Sequence, residues 1–356
     1  MIALVTEPGV PHSTRVEDVP APDPAAGEVL LRVLEVGVCG TDREIVHGLF
    51  GVAPDDSRSL VLGHESLALV EQDGHGFSRG DLVTATVRRS CGHCLACDEG
   101  SPDSCLTGDY SERGITRLDG FARELVAEDP TQLVAIPRSL GRLGVLAEPT
   151  SICARALRHV DAIGGRQPWQ PQRALVLGAG AIGSLSTFLL RLRGLEVWTA
   201  SREPAGDPRA DLVELCGARY VSTGDVELGD LRAETGGFDI VVEAAGNAQL
   251  MADSLGLLRR SGVACLLGID GREGRASIDA HVLAVDTVLE NRVLVGSVNA
   301  ERRDWLDGVA ALEQARTRWP GTLEGLIGLR VPLDRFEDAL AYGGGKATLL
   351  LDDQLR

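Results

Sequence analysis

The chain has 356 residues, a formal net charge of −17 and 44% hydrophobic residues. This length suits two domains better than one. The acidic balance excludes nucleic acid or an anionic membrane as the expected partner, because phosphate groups would be repelled. The N-terminus lacks the basic start and apolar core of a signal peptide, and no stretch has the apolar length of a membrane span. We therefore expect a cytoplasmic protein, in which clustered cysteines bind metal more often than they form disulfides.

The first part of the chain, up to about Gly141, is predicted to be rich in β-strands. Apolar and β-branched runs bounded by Gly, Asp or Ser predict strands within GEVLLRVLEVGVCG (27–40), SLALVEQ (66–72) and DLVTATV (81–87). The pattern then changes, since LGVLAEPTSICARALRHV (143–160) has helical spacing. The next segment, GGRQPWQPQ, is rich in turn residues and predicts a connector.

A series of alternating strands and helices follows this connector. It begins with a strand, a turn and a helix in RALVLGAGAIGSLSTFLLRLRG (173–194). Strands are predicted at LEVWTAS, FDIVVEAAG, VACLLGID and RVLVGSVN, and helices at ADLVELCGA and AQLMADSLGLLRRSG. This alternation predicts a parallel sheet with helices on both faces. The tail opens with a predicted helix, RRDWLDGVAALEQARTRW, and continues with strand-like LIGLRVPL and ATLLLDD.

Four cysteines lie close together in the sequence with the spacing C-x2-C-x2-C-x7-C. They are Cys91, Cys94, Cys97 and Cys105. Short loops let four thiolates surround one tetrahedral zinc ion, and four protein ligands leave no position for a substrate. The spacing therefore predicts a structural zinc site, with an iron–sulfur cluster or disulfides as the alternatives.

A second and looser set of residue types points to another metal site. It comprises Cys39, His64, Glu65 and Glu148, which lie in GVCGTDRE, VLGHES and LAEPTS. Each residue alone is ordinary, but together they predict a zinc ion with an open position, which can polarise an alcohol oxygen. Thr41 lies two residues after Cys39. Its hydroxyl is suited to pass the alcohol proton outward, or it is an ordinary turn hydroxyl.

The segment VLGAGAIGS contains Gly178, Gly180 and Gly183 in the order G-x-G-x-x-G. It follows a predicted strand and opens a predicted helix at Ala181 and Ile182, which is the context that a dinucleotide-binding turn requires. Backbone NH groups at the start of that helix favour the negative charge of a pyrophosphate.

The next predicted strand ends in SREP, at Ser201, Arg202 and Glu203. An NAD site usually offers an acidic side chain at this point, whereas an arginine can pair with the 2′-phosphate of NADP. Ser201 and Arg202 therefore favour NADP. Glu203 keeps the use of NAD open, because its carboxylate can accept a ribose hydroxyl.

The motifs together resemble those of zinc-dependent medium-chain dehydrogenases, and more narrowly the archaeal-type glucose 1-dehydrogenases. The segments that carry the resemblance are VCGTDREIVHG, VLGHE, VRRSCGHCLACDEGSPDSC, YSERGITRLDGFARE, LAEPTS, VLGAGAIG and LVGSVN. The resemblance implies an α/β protein with a GroES-like, β-rich catalytic domain and a Rossmann domain with a doubly wound parallel sheet. The catalytic domain would comprise 1–152, with the zinc lobe at 88–108, and 300–356, around a Rossmann domain at 153–299. A homodimer or homotetramer is also implied.

The resemblance implies roles for individual residues near the second metal site. The catalytic zinc would be bound by Cys39 and His64, with Glu65 and Glu148 as carboxylates that bind it or exchange through water. Glu65 and Glu148 would thus take part in catalysis, together with Thr41 as the proton relay. Thr41, Glu112, Glu148 and Asn299 would be the residues that contact the sugar.

The nicotinamide end of the cofactor is also implied by the resemblance. Asn299 would lie near the nicotinamide, and Gly268 and Ile269 would line its pocket. Two departures from relatives concern the substrate: Glu290 stands where some have a histidine, and Val87 where some have an asparagine. Glu290 either faces the pocket or lies in solvent at a helix end.

The expected function is hydride transfer from the C1 hydroxyl of an aldose, glucose or a close analogue, to NADP+, which gives the lactone. Zinc is expected at two sites per chain, and NAD remains a second possible cofactor. The alternatives are a polyol, cyclitol or amino-sugar dehydrogenase of the same superfamily, and a non-catalytic nucleotide-binding protein on the same fold.

Overall fold

The protein, seen in a computed structural model that describes residues 1–269 and 274–352, divides into two compact units. The first unit comprises Met1–Ser151, Asn299–Glu313 and the chain from Ile327 onward. The second comprises Ile152–Val298 and Gln314–Leu326. Among the residues described, no helix has both the length and the apolar character needed to cross a membrane.

The first unit is built mainly of β-strands. Its strands are β1 (Ile2–Thr6), β2 (Arg15–Asp18), β3 (Val29–Val38), β4 (Leu60–Val61), β5 (Glu65–Val70), β6 (Leu82–Ala85), β7 (Arg88–Arg89), β8 (Ser111–Arg113), β9 (Arg117–Leu118), β10 (Leu125–Glu128), β11 (Leu133–Ala135), β18 (Ile327–Pro332) and β19 (Lys346–Leu350). The largest sheet has the order β11-β6-β5-β3-β19-β18, with β10 also paired to β3. Its apolar core is formed by residues such as Val33, Val83 and Phe121. The sheet thus joins β3, in the N-terminal part of the chain, to β19 near its C-terminal end.

The helices of this unit are short or lie at its margins. They are α1 (Gly40–Val46), α2 (Leu95–Asp98) and α11 (Phe336–Ala341), while α3 (Ala147–Gly164) and α9 (Arg302–Arg318) contain residues of both units. Short 3-10 helices lie at Pro102–Ser104, Pro130–Gln132, Gly141–Leu146 and Leu333–Arg335.

The second unit contains a six-stranded parallel sheet. Its strands are β12 (Arg173–Leu177), β13 (Glu196–Ser201), β14 (Arg219–Ser222), β15 (Phe238–Glu243), β16 (Leu258–Leu266) and β17 (Val293–Gly296). Its helices are α4 (Ala181–Leu192), α5 (Pro208–Leu215), α6 (Leu228–Thr235), α7 (Ala248–Leu257), α8 (Thr287–Leu289) and α10 (Thr322–Leu326), with a π-helical turn at Val282–Asp286. The strand order β14-β13-β12-β15-β16-β17 is that of a doubly wound dinucleotide-binding fold. The predicted fold class is confirmed.

The structure differs from the sequence-based division in the C-terminal segment. Residues 300–356 were assigned to the catalytic domain, but Gln314–Leu326 belong to the second unit. The reason is packing: a Cβ added to Gly325 would lie 2.7 Å from the Leu212 side chain, and the Trp319 ring contacts that of Phe188. Helix α10 therefore covers helices of the parallel sheet.

A second difference concerns the predicted helix AQLMADSLGLLRRSG. Helix α7 ends at Leu257, and β16 begins at Leu258, so the residues from Arg259 to Gly262 lie in a strand. Leu258 pairs with Phe238 of β15, and pairing resumes after an irregularity at Val263. Strand pairing in the parallel sheet therefore decides the structure of these residues, although their sequence has helical spacing. Asp270 and Asp353, the last residues of two predicted strands, lie outside the described residues.

Candidate active site

The four closely spaced cysteines surround one point in the first unit. Their sulfur atoms all lie within 4.8 Å of one another, and all four thiols are free. Helix α2 starts directly after Cys94, whose sulfur accepts a hydrogen bond from the backbone NH of Leu106. Four thiols at this separation fit a tetrahedral zinc ion and leave no open position.

A second cluster lies between β3, α1 and β5 of the same unit. The candidate ligand atoms of Cys39, His64 and Glu65 also lie within 4.8 Å of one another. Cys39 precedes α1 as its N-cap residue, and its sulfur lies 3.1 Å from Nε2 of His64. His64 and Glu65 are buried, while Cys39 is half-buried. One sulfur, one imidazole and one carboxylate fit a zinc site that keeps a position open.

Asp42 lies against both Cys39 and His64. Its Oδ2 accepts a hydrogen bond from the backbone NH of Cys39 at 2.8 Å, and its Oδ1 lies 3.5 Å from Nδ1 of His64. Burial opposes charge on the His64 ring, but the charges of Cys39 and Asp42 outweigh it and raise the pKa of His64 well above its usual value. The carboxylate faces Nδ1 and the sulfur of Cys39 faces Nε2, which is the arrangement of carboxylates behind metal-binding histidines.

Glu65 is paired with Lys346, the single lysine of the chain. The Lys346 ammonium lies 2.6 Å and 2.5 Å from the two carboxylate oxygens, and both side chains are almost fully buried. Burial alone would lower the pKa of Lys346, but the negative charge of Glu65 raises it. Gly37, opposite Glu65 in the β3–β5 ladder, makes room, since a Cβ there would lie 1.9 Å from Oε2 of Glu65.

Glu148 lies outside the group of three ligand atoms. It is buried in the first turn of α3. Burial and the nearby charge of Glu65 raise its pKa to about 8. The carboxyl group is therefore largely protonated at neutral pH in the metal-free protein. Thr41 is the second residue of α1 and is half-buried, so its part in proton transfer stays a prediction.

Glu112 and Asn299 form a buried polar group in the first unit. Oε1 of Glu112 accepts hydrogen bonds from Nε of Arg88 at 2.9 Å and from Nδ2 of Asn299 at 2.7 Å. Asn299 has a φ of 61°, in the left-handed region. Arg88 also lies over the ring of Tyr110. The structure thus brings together two residues expected to contact sugar and adds Arg88 as their fixed cation. Val87, which precedes Arg88 in the sequence, is also buried.

The second unit contains a groove of about 870 Å³. It is lined on one side by the glycine-rich turn after β12, including Gly178 and Gly180, and α4 begins directly after Gly180 at Ala181 and Ile182. A Cβ on Gly183 would lie 1.9 Å from the carbonyl oxygen of Gly178. Only glycine therefore lets α4 approach the turn this closely, as a pyrophosphate-binding turn requires.

The residues at the end of β13 line the same groove. Ser201, Arg202, Glu203 and Arg209 all border it. The Ser201 hydroxyl donates a hydrogen bond to Glu203, and Glu203 forms an ion pair with Arg209 at 3.1 Å. Arg202 is exposed. The groove thus offers both cationic and anionic side chains where the adenosine ribose is expected.

Three further predicted positions lie elsewhere in the second unit. Gly268 and Ile269 follow β16, and the Ile269 side chain is exposed. Glu290 follows α8 and forms an ion pair with the buried Arg292 at 2.7 Å. This contact fits the interpretation of Glu290 as a helix-end residue.

Two family models match the chain. Residues 25–138 match the family model described as the alcohol dehydrogenase GroES-like domain, and residues 141–350 match that described as the glucose dehydrogenase C-terminus. Glucose 1-dehydrogenase of Methanocella arvoryzae is 39% identical over 344 residues, 96% of either chain. The chain belongs to the glucose dehydrogenase family. This confirms the predicted branch of zinc-dependent medium-chain dehydrogenases and identifies the chain as an NAD(P)-dependent dehydrogenase.

Two further glucose dehydrogenases also match nearly the whole chain. Glucose 1-dehydrogenase 1 of Caldivirga maquilingensis is 41% identical over 346 residues, 96% of either chain. The structure of Haloferax mediterranei glucose dehydrogenase in complex with NADP, Zn and gluconolactone matches with a TM-score of 0.91 at 32% identity. That match covers 99% of this chain and 100% of the Haloferax chain.

Several residues that position the site in this family member were missed from the sequence. Asp42 lies within the quoted motif VCGTDREIVHG, and its place three residues after a helix-capping cysteine is a signal that could have indicated it. Lys346 and Arg209 carry no local signal. Lys346 reaches Glu65 only because β19 pairs with β3, which in turn pairs with β5.

Proposed function

We propose that this dehydrogenase oxidises the C1 hydroxyl of an aldose, glucose or a close analogue, with NADP+ as the hydride acceptor and the lactone as the product. The names of its relatives support the substrate, since they are glucose 1-dehydrogenases. The Haloferax structure supports the cofactor, the metal and the product class, because that protein is bound to NADP, Zn and gluconolactone.

The observation that carries the proposal is the convergence of Cys39, His64 and Glu65 on one point. We assign the catalytic zinc to these residues, and the family resemblance adds Glu148, whose carboxyl group lies near enough to Glu65 to feel its charge, as a carboxylate that can exchange into the set. Zinc bound there supplies Lewis-acid polarisation of an alcohol oxygen. The four-cysteine group is assigned to a structural zinc, since four thiolates close the coordination shell.

The residues around the cluster then have distinct tasks. Asp42 holds the imidazole of His64 with Nε2 toward the ligand point. Lys346 offsets the charge of Glu65. The hydroxyl of Thr41 passes the proton of the sugar's C1 hydroxyl group outward, while the hydrogen on C1 leaves as the hydride to NADP+. The carboxyl group of Glu148 is buried nearby and is a second group that could hold this proton.

The sugar itself is assigned to polar groups of the first unit. The Glu112 carboxylate is held in place by hydrogen bonds from Arg88 and Asn299. A fixed carboxylate is a strong acceptor for sugar hydroxyl groups. Asn299 is also the residue that we assign to the nicotinamide end.

The dinucleotide is assigned to the groove of the second unit. Gly178, Gly180 and Gly183 admit the pyrophosphate to the start of α4, and Arg202 is assigned to the 2′-phosphate. Gly268 and Ile269 are assigned to the nicotinamide pocket. A homodimer or homotetramer and a cytoplasmic location remain predictions from the sequence.

Steady-state kinetics with aldoses, polyols and amino sugars, each with NADP+ and with NAD+, test the proposal. We expect the highest kcat/KM for glucose or a close aldose with NADP+, and lactone as the product. Turnover of polyols without turnover of any aldose would overturn the substrate assignment. Arg202→Ala should raise the KM for NADP+ far more than that for NAD+; equal effects would contradict the 2′-phosphate role.

A further inference from the structure

One end of the dinucleotide groove contains a carboxylate that is already ion-paired with an arginine. Oε1 of Glu203 lies 3.1 Å from an Nη atom of Arg209, and the two side chains are 18% and 21% exposed. Both residues line the groove. We propose that Glu203 competes with the 2′-phosphate of NADP for Arg209. Glu203 would thereby set the preference between NADP and NAD. This inference rests on the proposed dinucleotide function.

The position of Glu203 is fixed from both sides. The Ser201 hydroxyl donates a hydrogen bond to Oε2 of Glu203, and the Tyr220 hydroxyl donates one to its backbone oxygen at 2.8 Å. These contacts place Glu203 just after β13, where a dinucleotide-binding fold presents the group that meets the adenosine ribose.

Arg209 is held independently of Glu203. Its Nε and one Nη donate to the two carboxylate oxygens of Asp207 at 2.9 Å and 3.0 Å. Asp207 in turn caps α5 through the backbone NH of Arg209. The guanidinium thus keeps its place when Glu203 is displaced, and the nitrogen that pairs with Glu203 is the one free to exchange partners.

The charges of this group are balanced without a ligand. Arg202 and Arg209 are positive, whereas Glu203 and Asp207 are negative. Partial burial opposes ionisation of Glu203, but the Ser201 hydrogen bond and the two arginines outweigh it and lower the pKa of Glu203. A 2′-phosphate brings between one and two further negative charges at neutral pH. To pair with Arg209 as well as with Arg202, the phosphate must displace Glu203, whereas the ribose diol of NAD needs only an acceptor, which Glu203 supplies.

Calorimetric titration with 2′,5′-ADP and with 5′-ADP tests the competition without the nicotinamide or the sugar. Glu203→Gln frees Arg209, so we expect 2′,5′-ADP to bind about ten-fold more tightly and 5′-ADP a few-fold more weakly. Arg209→Gln should weaken 2′,5′-ADP about ten-fold and leave 5′-ADP within about two-fold. In the Arg209→Gln background, Glu203→Gln should bring no gain for 2′,5′-ADP.

Glu227→Gln is the matched control, because Glu227 lines the same groove and caps α6 without accepting a hydrogen bond through its side chain. It removes the same charge and should change the ratio of the two affinities by less than about two-fold. The inference is overturned if Glu203→Gln weakens both ligands alike, if Glu227→Gln reproduces its gain, or if the gain persists without Arg209. Binding of neither ligand to the wild-type protein would instead contradict the proposed dinucleotide function.

Discussion

Two carboxylate–cation pairs lie beside the two proposed ligand sites, and they differ sharply in burial. In the first unit, Glu65 and Lys346 have side chains that are 2% and 3% exposed. In the second unit, Glu203 and Arg209 are 18% and 21% exposed. Removing one partner of a buried pair costs a large free energy, because the remaining charge has no water around it. A more exposed pair can exchange a partner for solvent or for a ligand at a smaller cost. We therefore expect the first pair to fix a charge and the second to respond to the cofactor.

Breaking the buried pair should have the largest effect on stability. Lys346→Met leaves Glu65 buried without its cation, and the free energy of unfolding of the metal-free protein should fall by about 3–5 kcal/mol. Urea denaturation followed by circular dichroism measures this change. The double variant Lys346→Met/Glu65→Gln should recover at least about half of the loss, because no unpaired charge remains.

The control for this prediction is an exposed pair of the same unit. Arg15 and Glu17 lie 2.8 Å apart with side chains that are 43% and 35% exposed. Arg15→Gln should therefore cost less than about 1 kcal/mol. Equal losses for Lys346→Met and Arg15→Gln would remove the distinction between the two kinds of pair.

A further pair of variants separates structural from substrate-binding carboxylates among the buried ion pairs. Glu112 pairs with Arg88, and Glu128 accepts hydrogen bonds from Arg113 and Arg89. Glu112→Gln and Glu128→Gln should each destabilise the protein by about 1–3 kcal/mol. Only Glu112→Gln should also raise the KM for the aldose, by about ten-fold or more, in steady-state kinetics below the unfolding temperature. A similar KM in both variants would contradict the sugar contact of Glu112.

The smallest effect is expected at Asp207, which holds Arg209 in the more exposed pair. Hydrogen bonds from Arg209 lower the pKa of Asp207 below its ordinary value of 3.8, so the ionised form stabilises the fold. This stabilisation is fully present above pH 3.8 and is lost as the pH falls through the lower, folded-state pKa. Asp207→Ala should therefore cost about 1 kcal/mol at pH 7, as loss of a helix cap does, and less below pH 4. A loss that does not change with pH would contradict the ionic role.

The sequence predicted what short-range patterns encode. The strand and helix alternation predicted the parallel sheet. Residue type and spacing grouped the four cysteines, and Cys39 with His64 and Glu65, which the structure brings together, but they also included Glu148, which lies outside that group. The groups that depend on distant pairing could not be predicted: Lys346 meets Glu65 across 281 residues, and Asn299 meets Glu112 across 187. No local pattern records such contacts; that of Lys346 with Glu65 depends on how β19, β3 and β5 align. The packing of Gly325 against Leu212 is likewise a contact between distant parts of the chain, and the sequence-based division at 300 did not foresee it.

The central claim is that Cys39, His64 and Glu65 hold a zinc ion on which turnover depends, and His64→Ala tests it most directly. Zinc per chain should fall by about one equivalent, turnover should fall at least about 10³-fold, and NADPH binding followed by fluorescence should stay within about two-fold. His47→Ala, at the exposed end of α1, should keep both zinc and turnover near the wild-type values. A His64→Ala protein that keeps wild-type turnover after dialysis against a chelator would contradict the account.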